Sequence, residues 1–382
     1  MFGAWYNKVV IPNPSISNNV KGPEIMSNTK MKRVGFGCLI VFALFALAVL
    51  FGLVQFGTLQ RVSMIALDTS TWEMQTLNCA PKGYEYREVF LAGEDDHFVW
   101  GSLHGVNGKG STLYKHDLDT GEVVDTIELP PLESLGIQYG RHTVFFPKTM
   151  DLVCFTLYQE LTTTKSLGPT EIYKYNIKTN TKEVLYGLGN SVIADIFYVN
   201  NDTVLVFAEG MLEGEESIQL LDINTKEKKD VLSPDYRVCE AVSPGGKYVL
   251  LFGGGTLSLA CLDHDETRIL DTQSATDDFL YWGSFNQSGK KVVYSRGTDL
   301  YLFDIESGFG PELILSHSTE YRLDSPRFLD DTTIVFKREN TVNPSMALVF
   351  FDLTRKKTVK EIYLSSISSQ LWIVGKYVLY ME

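Results

Sequence analysis

The chain has 382 residues, enough for two or three ordinary domains or for one large repetitive domain. Its formal net charge is −13, and this charge is unevenly spread: residues 1–33 hold five basic residues and one acidic residue, so the rest of the chain carries −17. A surface that acidic repels phosphate backbones, which argues against nucleic-acid binding.

The predicted elements begin with a membrane-spanning helix. The segment "VGFGCLIVFALFALAVLFGLV", Val34–Val54, contains no charge, and the next charged residue is Arg61. A helix of this length rises about 30 Å, which is enough to cross a bilayer. Because Lys30, Lys32 and Arg33 precede it, the positive-inside rule places the N-terminus in the cytoplasm. We therefore predict a cytoplasmic segment at 1–33 without regular structure, a transmembrane helix or signal anchor at 34–57, and an exported domain at 62–382 of a single-pass cell (inner) membrane protein.

Two alternatives remain open at this end of the chain. The stretch "MKRVGFGCLIVFALFALA" from Met31 would make a cleaved signal peptide, with Ala46 and Ala48 at the small-residue positions. Cleavage there would leave the apolar terminus "VLFGLVQFG", which favours an uncleaved anchor. Met31 is also an alternative start of the chain. The large domain is exported in each case.

A hairpin pattern repeats through residues 62–382. Each copy is an alternating hydrophobic strand, an Asp or Asn, a few polar residues and a second strand, which is typical of a β-hairpin. The turn residues are Asp68, Asp117, Asn176, Asp222, Asp263, Asp304 and Asp352. They are 49, 59, 46, 41, 41 and 48 residues apart, the longest spacing allowing an insertion. We predict that each side chain accepts hydrogen bonds from backbone N–H groups of its turn.

A period in the forties leaves room for a second hairpin in each repeat, as in "VCEAVSPGGKYVLLFGG". Four strands per repeat predict a β-propeller. The first repeat, from Val62, has only an outer hairpin, and the last, "LWIVGKYVLYME", has only an inner one. We therefore predict that the two chain ends complete one blade of an all-β, seven-bladed propeller, with six or eight blades as alternatives. A pair of β-sandwiches would not explain the period.

A family resemblance accompanies this pattern. The stretches "VSPGGKYVLLF" (Val242–Phe252) and "FNQSGKKVVYSR" (Phe285–Arg296) resemble the turn-plus-strand element of TolB-like, WD40-like (PD40-type) propeller repeats. True WD40 repeats differ, because no Gly-His or Trp-Asp pair recurs here. The resemblance implies the propeller fold and a habit of binding proteins or peptides in a periplasmic or extracellular setting, without implying one activity.

No motif indicates a catalytic, metal or cofactor site. There is no GxSxG, and "GVNGKGST" (Gly105–Thr112) has the wrong spacing for a phosphate loop. The cluster "GEDDHFVW" offers Glu94, Asp95, Asp96 and His97 as metal ligands, but it lies where a strand turn belongs. The five cysteines show no CxxC or Cys/His spacing, so we predict buried thiols, with a single disulfide left open.

Three connections are longer or more charged than a turn requires: residues 159–170, 209–217 and 337–345. Such loops bind ligands or are solvated insertions. The candidate ligand-binding residues near the strand ends are Lys165, Glu209, Arg296, Arg338 and Glu339.

The sequence favours a membrane-anchored, extracytoplasmic propeller that binds a protein, peptide or ligand of the cell envelope without catalysis. The alternative is a hydrolase or lyase whose residues converge only in the propeller channel. Two titratable channel residues within hydrogen-bond distance and with perturbed pKa values would favour that enzyme. An exposed apolar patch would favour partner binding.

Overall fold

A computed structural model of the chain describes residues 64–77, 84–90, 96–105, 111–129, 144–146, 148–155, 171–187, 192–209, 217–232, 238–264, 266–272, 281–343, 345–364 and 371–381. The segments predicted at 1–33 and 34–57 lie outside these ranges. Within the ranges, no helix is long and apolar enough to cross a membrane.

The described residues form seven four-stranded antiparallel sheets, which we number as blades 1 to 7. Blade 1 contains β3 (Tyr84–Phe90), β4 (Phe98–Gly105), β5 (Ser111–Asp117) and β6 (Val123–Glu128). Blade 2 contains β7 (Val144–Phe146), β8 (Asp151–Phe155), β9 (Glu171–Asn176) and β10 (Thr181–Gly187). Blade 3 contains β11 (Val192–Asn200), β12 (Thr203–Glu209), β13 (Ser217–Asp222) and β14 (Lys228–Leu232). Blade 4 contains β15 (Val238–Val242), β16 (Tyr248–Gly253), β17 (Thr256–Cys261) and β18 (Glu266–Thr272). Blade 5 contains β19 (Tyr281–Phe285), β20 (Lys291–Arg296), β21 (Asp299–Asp304) and β22 (Glu312–Ser316). Blade 6 contains β23 (Tyr321–Phe328), β24 (Thr333–Asn340), β25 (Ser345–Asp352) and β26 (Lys357–Leu364). Blade 7 contains β27 (Leu371–Val374), β28 (Tyr377–Met381), β1 (Met64–Asp68) and β2 (Glu73–Leu77).

Blade 7 joins the two ends of the described chain. Strand β1 pairs antiparallel with β28, from Met64 opposite Met381 to Asp68 opposite Tyr377. The outer hairpin of this blade therefore comes from the start of the domain and the inner hairpin from its end, which confirms the prediction. Closure of this kind joins the two ends within one sheet, and the radial arrangement of blades leaves only short, protected sheet edges.

Hydrophobic side chains pack between each pair of successive blades. Seven clusters fill the seven interfaces, and the interface between blades 7 and 1 contains Met64, Ala66, Val99, Leu118 and Tyr377. All five of these residues are buried. The prediction of seven blades is therefore confirmed, and the alternatives of six and eight are wrong.

The outer hairpins share one turn, and blade 5 illustrates it. Asp304 Oδ1 accepts the backbone N–H groups of Glu306 at 3.0 Å and Ser307 at 3.1 Å. The fourth residue after the acid has positive φ, which reverses the chain, and Gly308 at 70° adopts this conformation without strain. The same positive φ recurs at Trp72, Gly121, Asn180, Lys226 and Lys356. The prediction for Asp304 is confirmed: it is a turn residue of the fold.

Blade 4 departs from this pattern, and the prediction for Asp263 was wrong. Strand register pairs Cys261 with Glu266, as Asp68 pairs with Glu73 in blade 7. Cys261 therefore occupies the turn position, and Asp263 lies two residues later as an exposed residue. The spacing of acids alone could not show this, since either residue fits a period in the forties.

The strand ends define two faces of the propeller. The turn face holds the turns between the first and second strands and between the third and fourth strands of each blade. The connection face holds the turns between the second and third strands and the links between blades. The extra length of the 59-residue repeat falls between β6 and β7 and between β8 and β9, which are both on the connection face.

Candidate functional site

The predicted site residues that the structure describes lie near the connection face but do not form one group. Lys165 lies outside the described residues, Glu209 ends β12, and Arg296 ends β20. Arg338 and Glu339 belong to β24, so the predicted loop at 337–345 was wrong in its extent. That connection is only the four residues between the paired Asn340 and Ser345.

Two of the predicted residues make ion pairs that hold strands together. Arg338 bonds both oxygens of Glu361, at 3.0 and 2.7 Å, and its guanidinium lies 5.2 Å from the centre of the Tyr321 ring. Arg296 bonds Asp271 of blade 4 at 3.1 Å. A bidentate pair of this kind fixes geometry strongly. Arg338 therefore holds strands of blade 6 together, and Arg296 holds blade 5 to blade 4.

Glu339 belongs to a charged group that we call the mouth cluster: Arg322, Asp324, Lys337 and Glu339. Register places Arg322 opposite Glu339 and Asp324 opposite Lys337 on the first two strands of blade 6. Arg322 Nε lies 3.1 Å from Asp324 Oδ1, and Lys337 Nζ lies 4.0 Å from Asp324 Oδ2 and 3.9 Å from Glu339 Oε2. Four charges of alternating sign therefore line one side of these strands.

The cluster is graded from buried to exposed. The side chains of Asp324 and Lys337 are each 8 % exposed, whereas those of Arg322 and Glu339 are 42 % and 35 % exposed. Burial raises the pKa of the Asp324 carboxyl, and the nearby charges of Arg322 and Lys337 only partly oppose this. Charged groups are rarely buried unless paired, so a buried pair beneath two accessible charges is a prepared polar site.

A bulge in β23 directly follows Asp324 of the cluster along the strand. Register breaks between Asp324 and Arg327, and Ser325 has a φ of 51°, which is uncommon for a residue other than glycine. Pro326 cannot donate to a strand ladder, which favours a bulge at this point. The Ser284 hydroxyl of blade 5 donates to the Pro326 carbonyl at 2.9 Å and holds the bulge in place.

Beyond the bulge, Arg327 ties three blades together at the channel. Its guanidinium donates to the carbonyls of Leu371 in blade 7, Gly283 in blade 5 and Pro326 in blade 6, at 3.2, 3.0 and 3.0 Å. These carbonyls all belong to innermost strands. Burial lowers the pKa of Arg327, although the charge of Glu240 acts in the opposite direction.

Glu240, on the innermost strand of blade 4, is the acid whose charge acts on this arginine. It is the extra residue of a bulge in β15, where register shifts between Cys239 and Ala241. Burial raises the pKa of Glu240 to about 7, and the charge of Arg327 lowers it only in part. Their charges interact, but the two groups do not form an ion pair within 4.0 Å. Glu240 therefore titrates near neutral pH.

Sequence reasoning missed Glu240, Arg322, Asp324 and Arg327, because each lies within a stretch read simply as a strand. Two signals were present. "VCEAV" places an acid inside an apolar innermost strand, and "YRLDSPRF" places a proline inside another. Both mark the bulges that redirect charged side chains.

In the segment "GEDDHFVW", considered above as a source of metal ligands, His97 contacts a neighbouring turn. His97 Nδ1 lies 2.6 Å from Asp119 Oδ2 of the neighbouring hairpin, and both side chains are substantially exposed. Glu94 and Asp95 lie outside the described residues. Across the described ranges, no group of three His, Cys, Asp or Glu side chains is placed to hold a metal ion.

No protein-family model matches the sequence, and no curated protein matches it significantly. Several solved structures do. An oligogalacturonate lyase in complex with manganese matches with a TM-score of 0.54 and 18% identity, covering 75% of this chain and 81% of the lyase. A post-proline cleaving enzyme from Rickettsia typhi matches with a TM-score of 0.55 and 14% identity, covering 80% of this chain and 50% of the enzyme.

TolB from Acinetobacter baumannii is also among the matches, with a TM-score of 0.38 and 16% identity, covering 71% of this chain and 59% of TolB. The TM-score is too low to argue from. The chain thus spans about half the length of the Rickettsia enzyme and less than two thirds of TolB. At these identities the matches show the propeller fold alone, and function must be argued from this chain's own residues.

Proposed function

We propose that this protein is a membrane-anchored, extracytoplasmic propeller that binds a protein or peptide of the cell envelope, without catalysis, at the mouth cluster. The observation that carries the proposal is the graded cluster on blade 6, in which the accessible charges of Arg322 and Glu339 lie above the buried pair of Asp324 and Lys337. Buried charges hold the outer ones in fixed positions, which favours specific recognition over general attraction.

The chemistry of the cluster defines the partner. Arg322 would pair with a carboxylate of the partner, and Glu339 with a basic side chain. The −17 charge beyond residue 33 would draw a basic segment towards the domain from a distance. The anchor and the location rest on the uncharged segment Val34–Val54 and the basic residues before it.

Capture of partners from membranes tests the proposal. The full-length tagged protein is compared with a charge-swapped variant, Arg322→Glu with Glu339→Arg, and with a matched control on the turn face, Lys290→Glu with Glu306→Lys. The control residues form an exposed ion pair of 2.9 Å. We expect one partner to co-purify with the parent and the control, and to be lost from the mouth variant. Equal recovery with both variants would refute the mouth cluster as the binding site.

A second function is favoured by one observation, the pKa of about 7 at Glu240. A carboxyl group with that pKa is suited to proton transfer near neutral pH, as a channel hydrolase or lyase requires. The two proposals predict different results. Turnover of a substrate that is abolished by Glu240→Gln, with no partner recovered from membranes, would replace the binding function by the enzyme.

A further inference from the structure

The turns of the outer hairpins bind one side chain in nearly every blade. In blades 1, 3, 5, 6 and 7 the turn carboxylate accepts the N–H groups two and three residues onward, and in blade 2 Asn176 accepts the one three residues onward. These backbone amides therefore form a small oxyanion-binding nest.

The outer hairpin of blade 4 has the same register but lacks the acid that accepts these N–H groups. Cys261 stands where the acid would be, and the corresponding N–H groups belong to Asp263 and His264. Within the described part of the chain, neither N–H has an acceptor. A thiol is a weak acceptor and cannot replace a carboxylate. The Cys261 thiol is also buried and forms no disulfide.

Blade 4 also has a lysine at the position from which Lys376 pairs with the turn acid of blade 7. In blade 7, Lys376 Nζ lies 2.8 Å from the Asp68 carboxylate. Lys247 is the equivalent residue of blade 4: its carbonyl accepts the N–H of Leu262 at 2.8 Å, as the Lys376 carbonyl accepts that of Thr69 at 3.0 Å. Blade 4 thus has the lysine and the amides that hold a carboxylate in blade 7, but not the carboxylate.

A cavity of about 240 Å³ opens at this position, between blades 4 and 5 on the turn face. Its lining includes Lys247, Cys261, His264 and Arg268, with Leu259 and Phe303 as an apolar wall. The volume equals that of roughly eight liquid waters, enough for a small organic molecule.

The charge of the lining suits an anion. Arg268 is held over the Phe303 ring, 4.6 Å from its centre, by bonds to the carbonyls of Gly308 and Phe309 at 2.8 and 3.0 Å. Glu266 is the acid among the lining residues, against the two cations Lys247 and Arg268. Lys247 and Arg268 therefore outnumber Glu266 among the charged residues of the lining, and the Asp263 carboxylate also acts on Lys247.

We propose that this cavity binds a small organic carboxylate beside the Cys261 turn of blade 4. The carboxylate accepts the N–H groups of Asp263 and His264 and pairs with Lys247, while the body of the ligand packs against Phe303 and Leu259. This site lies on the turn face and does not depend on the function proposed for the mouth cluster.

The test uses phenylacetate as the probe and phenylacetamide as its neutral control, with the purified full-length protein and ligand-observed NMR. We expect saturable binding of phenylacetate and at least about tenfold weaker binding of the amide. Cys261→Asp supplies the internal carboxylate, so it should weaken phenylacetate binding by about tenfold or more and raise Tm. Cys261→Ala supplies no acceptor for the two N–H groups, so it should weaken phenylacetate binding far less than Cys261→Asp does.

Three results would overturn the proposal: no saturable binding to the parent, equal affinity for acid and amide, or unchanged affinity in Cys261→Asp. If Cys261→Asp does not fold, Lys247→Met decides. An affinity for phenylacetate about tenfold weaker, at an unchanged Tm, supports the site, and an unchanged affinity refutes it.

Discussion

At the scale of single residues, Glu240 lowers the stability of the fold by an amount that depends on pH. Its pKa is 4.5 in the unfolded chain and about 7 in the fold, where burial disfavours the charged form. The folded state therefore keeps a proton that the unfolded state has lost, so this residue makes stability fall as pH rises from about 4.5 to about 7. Above pH 7 its contribution is constant.

Glu240→Gln should remove this decrease of stability with rising pH. We expect the variant to be more stable than the parent by about 2 kcal/mol at pH 8, with no such gain at pH 4.5. Urea unfolding at the two pH values measures the difference, and Glu320→Gln on the exposed connection between blades 5 and 6 is the control. A gain of equal size at both pH values would contradict the account.

Arg327 should contribute to stability more than a surface arginine does. Arg327→Met removes three charge-assisted bonds and leaves the carbonyls of Gly283, Pro326 and Leu371 without them. We expect a loss of about 3–5 kcal/mol in the free energy of unfolding. Arg355→Met, at a side chain that is 71 % exposed, should cost less than about 1 kcal/mol. Similar losses from the two variants would show that Arg327 is not a tie between blades.

The site was only partly predictable at this scale. Glu339 was identified because it lies near a charged connection, but its partners were not. Which charged side chains meet depends on the bulges at Glu240 and Ser325, and a shift of one residue in register reverses the face on which a side chain lies.

At the scale of the hairpin, Asp68 differs from its equivalents because it also closes the ring. Burial raises its pKa, but the bonds from Lys376, Ser70 and Thr71 outweigh this and lower the pKa to about 2. The unfolded value is 3.8, so the stability from this group is present above about pH 4 and is lost as pH falls towards 2.

Asp68→Asn should therefore cost more than Asp304→Asn, which alters the same turn without an ion pair to Lys376. We expect the excess to be about 1 kcal/mol at pH 7 and to vanish near pH 2. Chemical denaturation of both variants at the two pH values measures it. An excess that persists at pH 2 would rule out the ion pair as its cause.

The hairpins were largely predictable, since alternation and polar turns recur in the sequence. Asp263 was misassigned because the period tolerates a shift of two residues. A better signal in the sequence is the apolar residue that directly follows the turn position. In four blades this residue donates its N–H to the neighbouring turn: Leu118, Ile223, Leu262 and Leu353. The pair Cys261–Leu262 fits that pattern and would have located the exception.

At the scale of the whole molecule, the ring was predictable because its two ends are complementary. An outer hairpin at one end and an inner hairpin at the other complete a blade only when they pair, as β1 and β28 do. The membrane anchor and the location outside the cytoplasm stay predictions.

Ring closure predicts that a core substitution in blade 7 destabilises both the first and the last strand of the domain, β1 and β28. Tyr380 and Tyr294 are both buried, in blade 7 and blade 5 respectively. Replacing either with Ala should cost about 3–5 kcal/mol. Only Tyr380→Ala should increase amide hydrogen exchange in both β1 and β28, because these strands pair with each other. Equal exchange in the two variants would contradict closure through blade 7.

The central claim, binding at the mouth of blade 6, is tested most directly by photo-crosslinking in cells. A crosslinking amino acid is placed at Val342, 65 % exposed on the connection face, or at Phe309, 79 % exposed on the turn face. We predict one defined partner adduct from Val342, lost when Arg322 and Glu339 are charge-swapped, and no defined adduct from Phe309. An adduct from Phe309 alone, or one from Val342 that survives the swap, would contradict the account.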